Sequence, residues 1–181
     1  MPVKFPSVQF PELNTDRLLL RALKFADAEQ LLAIRSNDDI NRYIGRSSVQ
    51  SPEAISQFIE ARMKDMADKQ GVYWGIELKS TGKLIGTICY WNLNYEAVSA
   101  EIGYELLPSE QGKGLMKEAV DSVLAYGFNK MELDTITAWP SPENKRSVRL
   151  LERHHFSYTE TIEGQLVYKI NRITWQTSTA E

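Results

Sequence analysis

The stretch Ser99–Val120, SAEIGYELLPSEQGKGLMKEAV, decides the fold of this chain. Its first part, SAEIGYELL, has the pattern of a strand, and its last part, GLMKEAV, begins a helix. Two glycines flank a lysine at the junction, although glycine beside a helix costs about 0.5–1 kcal/mol relative to alanine. A strand, a glycine turn and a helix in this order direct several backbone N–H groups, together with the positive end of the helix, toward one anion.

The turn therefore predicts a site for a phosphate-bearing ligand. Its N–H donors are expected from Gln111, Gly112, Lys113, Gly114, Leu115 and Met116. Two better-known phosphate motifs do not occur in the sequence. There is no G-x-x-x-x-G-K-[ST], and Lys117 stands where a dinucleotide-binding turn has its third glycine. Neither a nicotinamide cofactor nor a nucleoside triphosphate is expected.

On both sides of this stretch, helical and extended patterns alternate without an internal repeat or a linker. Ser51, Pro52 and Glu53 form a strong helix start. Strands are predicted over 17–23, 73–80, 84–94, 99–107, 135–139, 156–162 and 166–173, and helices over 25–37, 38–45, 52–69, 114–131 and 144–155. This order predicts one mixed α/β domain of the α+β type, with helices flanking a mostly antiparallel sheet.

The composition excludes several classes of protein. The chain has 181 residues, of which 43% are hydrophobic and 25% charged, with a formal net charge of -3. Neither nucleic acid nor an anionic membrane surface is therefore an expected partner. No apolar run approaches the roughly 20 residues of a membrane span, and no secretory signal is recognised, so a cytoplasmic location is expected. The single cysteine, Cys89, lies in an apolar run and is predicted to be buried.

Several segments, taken in order, resemble the GNAT superfamily of acyl-CoA N-acyltransferases. These are NTDRLLLRAL (14–23), GKLIGTICYW (82–91), AEIGYELLPSEQGKGLMKEAV (100–120) and ENKRSVRLLERHHF (143–156). Within the superfamily the resemblance is to the ribosomal-protein N-terminal (RimJ/RimL-like) acetyltransferases, and it covers about Thr15 to Phe156. The superfamily turn reads [QR]-x-x-G-x-[GA]. Here Gln111 and Gly114 match it, and Met116 departs from it.

The resemblance implies a GNAT domain over 15–175, with an N-terminal arm over 1–14 and a C-terminal tail over 176–181. It implies that SAEIGYELL splays from the strand at 135–139. Acetyl-CoA, the co-substrate, would lie in that cleft, with its pantetheine paired to backbone around Leu106 and Leu107 and its pyrophosphate on residues 111–116. Asn144 would contact the pantetheine as well as cap its helix. Ser147 would protonate the departing thiolate. No metal is expected.

The general base has three candidates. Glu101 and Glu105 alternate with Gly103 onto one face of their strand, and Glu163 follows the last helix. For each of the three, the alternative to a catalytic role is a solvated or structural charge. His154 and His155 end the helix that begins near Asn144, where histidine favours the helix dipole rather than catalysis.

The sequence does not determine the identity of the acceptor amine. A protein or peptide N-terminus is one alternative, and a small amine such as a polyamine, an amino acid or a drug is another. A non-catalytic module that binds acetyl-CoA is a third reading. Aromatic residues crowd the hairpin and would serve either an acceptor pocket or a homodimer face. They are Tyr73, Trp74, Tyr90, Trp91 and Tyr95.

Overall fold

One sheet of eight strands runs through the computed structural model, which describes residues 3–5, 9–49 and 51–179. The strands are β1 (Leu13–Asn14), β2 (Leu18–Ala22), β3 (Val72–Leu78), β4 (Lys83–Asn94), β5 (Ser99–Leu106), β6 (Thr135–Ala138), β7 (Ser157–Ile162) and β8 (Gln165–Asn171). The helices are α1 (Ala28–Arg35), α2 (Asp38–Asn41), α3 (Pro52–Ala67), α4 (Leu115–Asn129), α5 (Lys145–Arg153) and α6 (Arg172–Ser178). The predicted α/β class is confirmed.

The strands lie in the order β1-β2-β3-β4-β5-β6-β8-β7, and every neighbouring pair is antiparallel except β5 and β6. The parallel pair is short. It joins only Ser99 to Thr135, Ala100 to Ile136 and Glu101 to Thr137. Strand β5 continues to Leu106 without pairing to β6, so the sheet opens into a gap at its middle, as predicted.

Two apolar clusters hold helices on the two faces of the sheet. Helix α4 contributes Val120, Val123 and Phe128 to the larger cluster, which contains Trp74 and Tyr90 of the strands. Helices α1 and α3 form the smaller cluster through residues such as Ile34 and Ile59. These apolar sides of α1, α3 and α4, spaced at the helical period, fix the three helices against the sheet.

Local signals in the sequence account for most of the helix ends. The Ser51 hydroxyl accepts a hydrogen bond from the Ala54 N–H at 3.2 Å, with Pro52 as the first helical residue.

Cys89 is buried, as predicted, and burial raises the pKa of its thiol to about 12. A thiol of that kind stays protonated at neutral pH and is a poor nucleophile.

The chain departs from the expectations near both termini. The strand predicted over 166–173 ends at Asn171, because the Asn171 side chain accepts a hydrogen bond from the Thr174 N–H at 2.8 Å and begins α6. At the other end, Leu13–Asn14 adds a short edge strand. The Trp74 indole also donates to the Pro11 carbonyl at 2.6 Å. The division into arm, domain and tail stays a prediction.

Across the described residues, no helix is both long and apolar enough to cross a membrane. The same part of the chain contains no group of three or more histidine, cysteine and acidic side chains placed to hold a metal ion.

Candidate active site

Two cavities meet where β5 separates from β6. One has a volume of about 590 Å3 and lies against α1, α3 and the middle of the sheet, and the other, of about 960 Å3, lies along the glycine turn and α5. We call them the acceptor cavity and the cofactor cavity. Residues that line both are Tyr43, Ile44, Tyr104, Glu105, Asn144 and Ser147. Any reaction between ligands of the two cavities would take place beside these side chains.

The glycine turn adopts a backbone conformation that disfavours other residues. Gly112 and Gly114 have φ angles of +78° and +76°, and Gly114 directly precedes α4. A Cβ atom at Gly112 would meet nothing within 4 Å, so the space beside the turn is open. Arg17 holds the turn from the β2 side, since its guanidinium donates to the Lys113 carbonyl at 2.9 Å and pairs with Glu118 at 2.7 Å.

The free edge of β5 supplies backbone groups to the gap. Leu107 donates its N–H to the Ile85 carbonyl at 2.9 Å, and this register directs the N–H and C=O groups of Tyr104 and Leu106 away from β4, toward the gap. The Leu106 carbonyl accepts from the Gln111 side chain at 3.0 Å. The Leu107 carbonyl accepts from Glu110. The Leu107 N–H is thus engaged, so a backbone contact between Leu107 and a ligand would use the second lone pair of its carbonyl.

Helix α5 presents a row of cations to the cofactor cavity. Arg146, Arg149 and Arg153 recur at the i, i+3 and i+7 positions of one helix face, and all three line the cavity together with Lys145. Arg146 also pairs with the Gln111 side chain. Sequence reasoning missed these residues, although their helical spacing was a visible signal for an anion-binding face.

The start of α5 brings two side chains to the meeting point of the cavities. The Asn144 side chain accepts from the Ser147 N–H at 3.1 Å, which leaves the amide N–H donors of Asn144 for a ligand. The Ser147 hydroxyl lies 2.7 Å from the Tyr104 hydroxyl. Burial raises the pKa of Tyr104 to about 12, so the phenol keeps its proton at neutral pH. Tyr104 was not predicted as a site residue, because its partner lies 43 positions away in the sequence.

The two glutamates of β5 differ in their surroundings. Glu101 lies at the last position where β5 pairs with β6, and its carboxylate accepts a hydrogen bond from Asn92 at 3.1 Å. Burial raises its pKa above the ordinary value of a glutamate. Glu105 is 7% exposed, accepts from the Thr87 hydroxyl at 3.0 Å and forms an ion pair of 2.6 Å with Arg46. One oxygen of Glu105 therefore has a hydrogen-bond donor, and the other has an ion pair that lacks hydrogen-bond geometry. Glu101, which has no ion pair in the described residues and has a raised pKa, is better placed to accept a proton.

Three arginines line the acceptor cavity beside Glu105. Arg35 stacks over Phe58 with its guanidinium carbon 3.8 Å from the ring centre, and its ion pair with Glu105 is long, at 3.9 Å. Burial, followed by repulsion from Arg46, lowers the pKa of Arg35. The stacking on Phe58 and the long ion pair with Glu105 leave the pKa of Arg35 below its ordinary value.

The remaining sequence candidates lie away from the meeting point of the cavities. Glu163 occupies the turn between β7 and β8 and lines neither cavity. His154 is buried at the end of α5, where its ring contacts the Leu150 carbonyl at 2.7 Å and Asp121 at 3.0 Å. His155 has a φ of +63° in the same helix end. The structural reading of both histidines agrees with these contacts.

A mixed sheet that opens beside a glycine turn, with a helix beginning at that turn, defines a class of transferases. The chain belongs to the acetyltransferase (GNAT) domain family, whose model matches residues 17–157. It is a GNAT N-acetyltransferase, and the predicted enzyme class is confirmed.

Known proteins similar to the chain support this family. A Bacillus subtilis protein named as an N-acetyltransferase, YoaA, is 38% identical over 160 residues, which cover 88% of this chain and 90% of YoaA. The spermidine N(1)-acetyltransferase of Vibrio cholerae is 27% identical over 151 residues, which cover 83% of each chain. A solved structure of spermidine N-acetyltransferase from Vibrio cholerae, in complex with CoA and spermine, superposes with a TM-score of 0.77. It is 24% identical and covers 90% of this chain and 99% of its own, a likeness that shows the fold.

Proposed function

We propose that this chain transfers the acetyl group of acetyl-CoA to a primary amine, by direct attack of the amine nitrogen while both substrates are bound. The observation that carries the proposal is the meeting of two cavities at the Tyr104–Ser147 hydrogen bond. One cavity has the features of a phosphate and pantetheine site. The other has the volume of a small-molecule site, typically about 300–1,000 Å3.

The residues of the cofactor cavity fit acetyl-CoA. The N–H groups of residues 111–116, with the positive end of α4 behind them, suit the pyrophosphate. The open space beside Gly112 leaves room for it. The free backbone edge at Tyr104 and Leu106 and the amide of Asn144 suit the amide groups of pantetheine. Arg149 and Arg153 add positive charge for a further phosphate.

Acetyl-CoA, when bound, supplies an acyl group activated as a thioester. The acceptor nitrogen forms one bond to the acyl carbon and gives up one proton, while the carbon–sulfur bond breaks and the sulfur gains one proton. We assign the first proton to Glu101, directly or through a water molecule, because burial makes its carboxylate a stronger base than an exposed glutamate. We assign the second to the Ser147 hydroxyl, which Tyr104 orients and reprotonates.

The proposed acceptor is a small amine. The RimJ/RimL-like resemblance predicts a protein or peptide N-terminus instead, and that branch assignment stays a prediction. The volume of the acceptor cavity, about 590 Å3, favours the small amine. The cytoplasmic location and the homodimer also stay predictions, which cell fractionation and light scattering would test.

The decisive experiment compares Ser147→Ala with Ser157→Ala, an exposed serine of β7 that lines neither cavity. Release of CoA thiol and the mass of the acetylated amine are followed together. Ser147→Ala should lower kcat at least about tenfold, since acid–base contributions are typically ~10²–10⁴-fold, with the acetyl-CoA affinity unchanged. Ser157→Ala should match the wild type.

Two results would change the assignment. Full turnover in Ser147→Ala removes the serine from the mechanism. Tight acetyl-CoA binding by the wild type without acetylation of any amine supports the reading as a non-catalytic acetyl-CoA-binding module.

A further inference from the structure

The wall of the acceptor cavity next to Glu105 carries an excess of positive charge. Arg35 ends α1, Arg46 follows α2, and Arg62 lies in α3, so three separate segments bring guanidiniums to one place. Two carboxylates face them. Glu105 pairs with Arg46 at 2.6 Å and Asp65 pairs with Arg62 at 2.9 Å. Within this cluster three cations contact two anions, and the third carboxylate of the cavity, Glu101, accepts its hydrogen bond from Asn92 instead.

The same arginines have N–H groups that lack hydrogen-bond partners. Within the described residues, Arg35 Nε, Arg46 Nη2 and Arg62 Nε are buried without an acceptor. Proteins seldom bury such donors unsatisfied, and an arginine fork is suited to bidentate contact with a carboxylate or a phosphate. The three side chains keep 14%, 17% and 32% of their exposure and line the cavity. Because the unpaired atoms themselves are buried, an anion in the cavity would contact the exposed part of each guanidinium.

The cluster lies within reach of the transfer site. Glu105 and Gly103 are two positions apart on the same face of β5, a separation of about 7 Å at the rise of a strand. Gly103 lies in the part of β5 that borders the gap, where the acceptor nitrogen must be placed. Glu105, held by Thr87, fixes Arg46 in position. A molecule a few bonds long would span from the guanidiniums to the gap.

We propose that the acceptor is a small amine that also carries an oxyanion, a carboxylate or a phosphate, and that Arg35, Arg46 and Arg62 bind this oxyanion. This inference rests on the proposed acetyl transfer and narrows its substrate class. The bound oxyanion adds negative charge to a cluster of three guanidiniums and relieves the repulsion between Arg35 and Arg46. A polyamine fits poorly, because it would place a second cation against three guanidiniums.

The test measures kcat/KM with a panel of matched amines. α-Amino acids and short dipeptides are compared with their carboxamides, and aminoalkyl phosphates with their amino alcohols, so that each pair keeps the amine and differs in the anion. Spermidine and a neutral peptide amide complete the panel. The wild type should prefer the anionic member of at least one pair by about tenfold or more, the scale of a hydrogen bond to a charged group. Which pairs show the preference distinguishes a carboxylate from a phosphate.

The variants show whether the arginines cause this preference. Arg35→Gln should reduce the ratio within a pair toward one, and Arg35→Lys should restore only part of it, because lysine lacks the planar fork. Lys83→Gln, which removes an exposed cation outside both cavities, should keep the wild-type ratio. Acetyl-CoA affinity and the unfolding temperature of each variant, measured in parallel, show that the fold and the cofactor cavity are intact.

The outcomes separate this inference from the proposed function. If spermidine, the peptide amide or the uncharged members are acetylated as well as the anionic ones, acetyl transfer stands and the oxyanion site is overturned. If Arg35→Gln leaves the preference unchanged, the assignment to the cluster is overturned. If no amine is acetylated and acetyl-CoA does not bind, the proposed function fails. A last outcome is that acetyl-CoA binds but no anionic amine reacts, and none raises the unfolding temperature more than its neutral match does. This outcome also overturns the oxyanion site.

Discussion

Replacement of Gly114 by alanine or valine should abolish acetyl-CoA binding while most of the protein stays folded. Gly114 has a φ of +76° and directly precedes α4. A Cβ atom there would lie 3.5 Å from Arg17 Nη2, an ordinary contact, so the substitution meets little steric resistance inside the protein. Its cost to the fold is therefore mainly the left-handed backbone conformation, about 1–2 kcal/mol for a residue other than glycine.

Gly82 provides a matched control for that backbone cost. It has a φ of +65° in the turn between β3 and β4, and a Cβ atom there would contact nothing within 4 Å. Gly114→Ala and Gly82→Ala should thus lower the free energy of unfolding by similar amounts. A domain with a typical stability of about 5–15 kcal/mol remains folded after a loss of that size.

The two variants should differ in ligand binding. A side chain at Gly114 separates the pyrophosphate from the backbone N–H groups of the turn, and each hydrogen bond to a charged group contributes about 1.5–3 kcal/mol. The loss of one bond weakens binding roughly 10- to 150-fold, and valine should lose more than alanine. Titration calorimetry with acetyl-CoA and urea unfolding measure the two quantities. If Gly114→Val binds acetyl-CoA as tightly as Gly82→Ala, the glycine turn does not hold the cofactor.

Three further predictions concern single side chains. Tyr104→Phe removes the hydrogen bond to Ser147 and should lower kcat roughly three- to tenfold with an unchanged acetyl-CoA affinity; an unchanged kcat would show that the phenol has no part in the reaction. Burial raises the pKa of Glu101, so kcat/KM should rise with pH through a range above that of an exposed glutamate, and Glu101→Gln should flatten this acidic limb; a limb that persists in the variant would assign the base elsewhere. Arg21→Met should lower the free energy of unfolding by about 3–5 kcal/mol, because it leaves Asp27 buried without the two 2.8 Å hydrogen bonds that the Arg21 guanidinium donates to it. Burial opposes ionisation of Asp27, but hydrogen bonding to Arg21 holds the pKa of Asp27 below its ordinary value. The difference in unfolding free energy between wild type and Arg21→Met should therefore shrink as the pH falls and Asp27 takes up a proton. A pH-independent difference would contradict the ion-pair account.

Features encoded in one continuous segment were predictable from the sequence. The strand, glycine turn and helix of 99–120 need only local patterns, and so does the Ser51 cap of α3. The same principle explains the error at the C-terminal end. The apolar alternation of β8 was followed through Ile173, although Asn171 carried a capping signal that ends the strand. At the end of β8 two local signals compete, the apolar alternation and the Asn171 cap. The hydrogen bond from the Thr174 N–H to the Asn171 side chain ends the strand.

Contacts between distant segments were not predictable in this way. The register of β5 against β4 uses the N–H of Leu107, which donates to the Ile85 carbonyl, and no pattern within 99–107 contains that information. Tyr104 meets Ser147 only because α5 returns across the gap. Both residues can be seen in the sequence, but their distance of 2.7 Å depends on the packing of the whole domain.

The two cavities depend on different kinds of chemical group, backbone groups in one and side chains in the other. In the proposed function the glycine turn would bind its ligand through backbone groups of adjacent residues, so most side-chain replacements there would leave the donors in place. The arginine cluster depends instead on side chains from α1, α3 and the loop after α2, each of which can change without disturbing the turn. Glu105 lines both cavities and pairs with Arg46. If the arginines bind the acceptor as proposed, a chain of this fold that lacked Glu105 and its arginines would keep the acetyl donor site and select a different amine, so we propose that these side chains, rather than the turn, determine acceptor specificity.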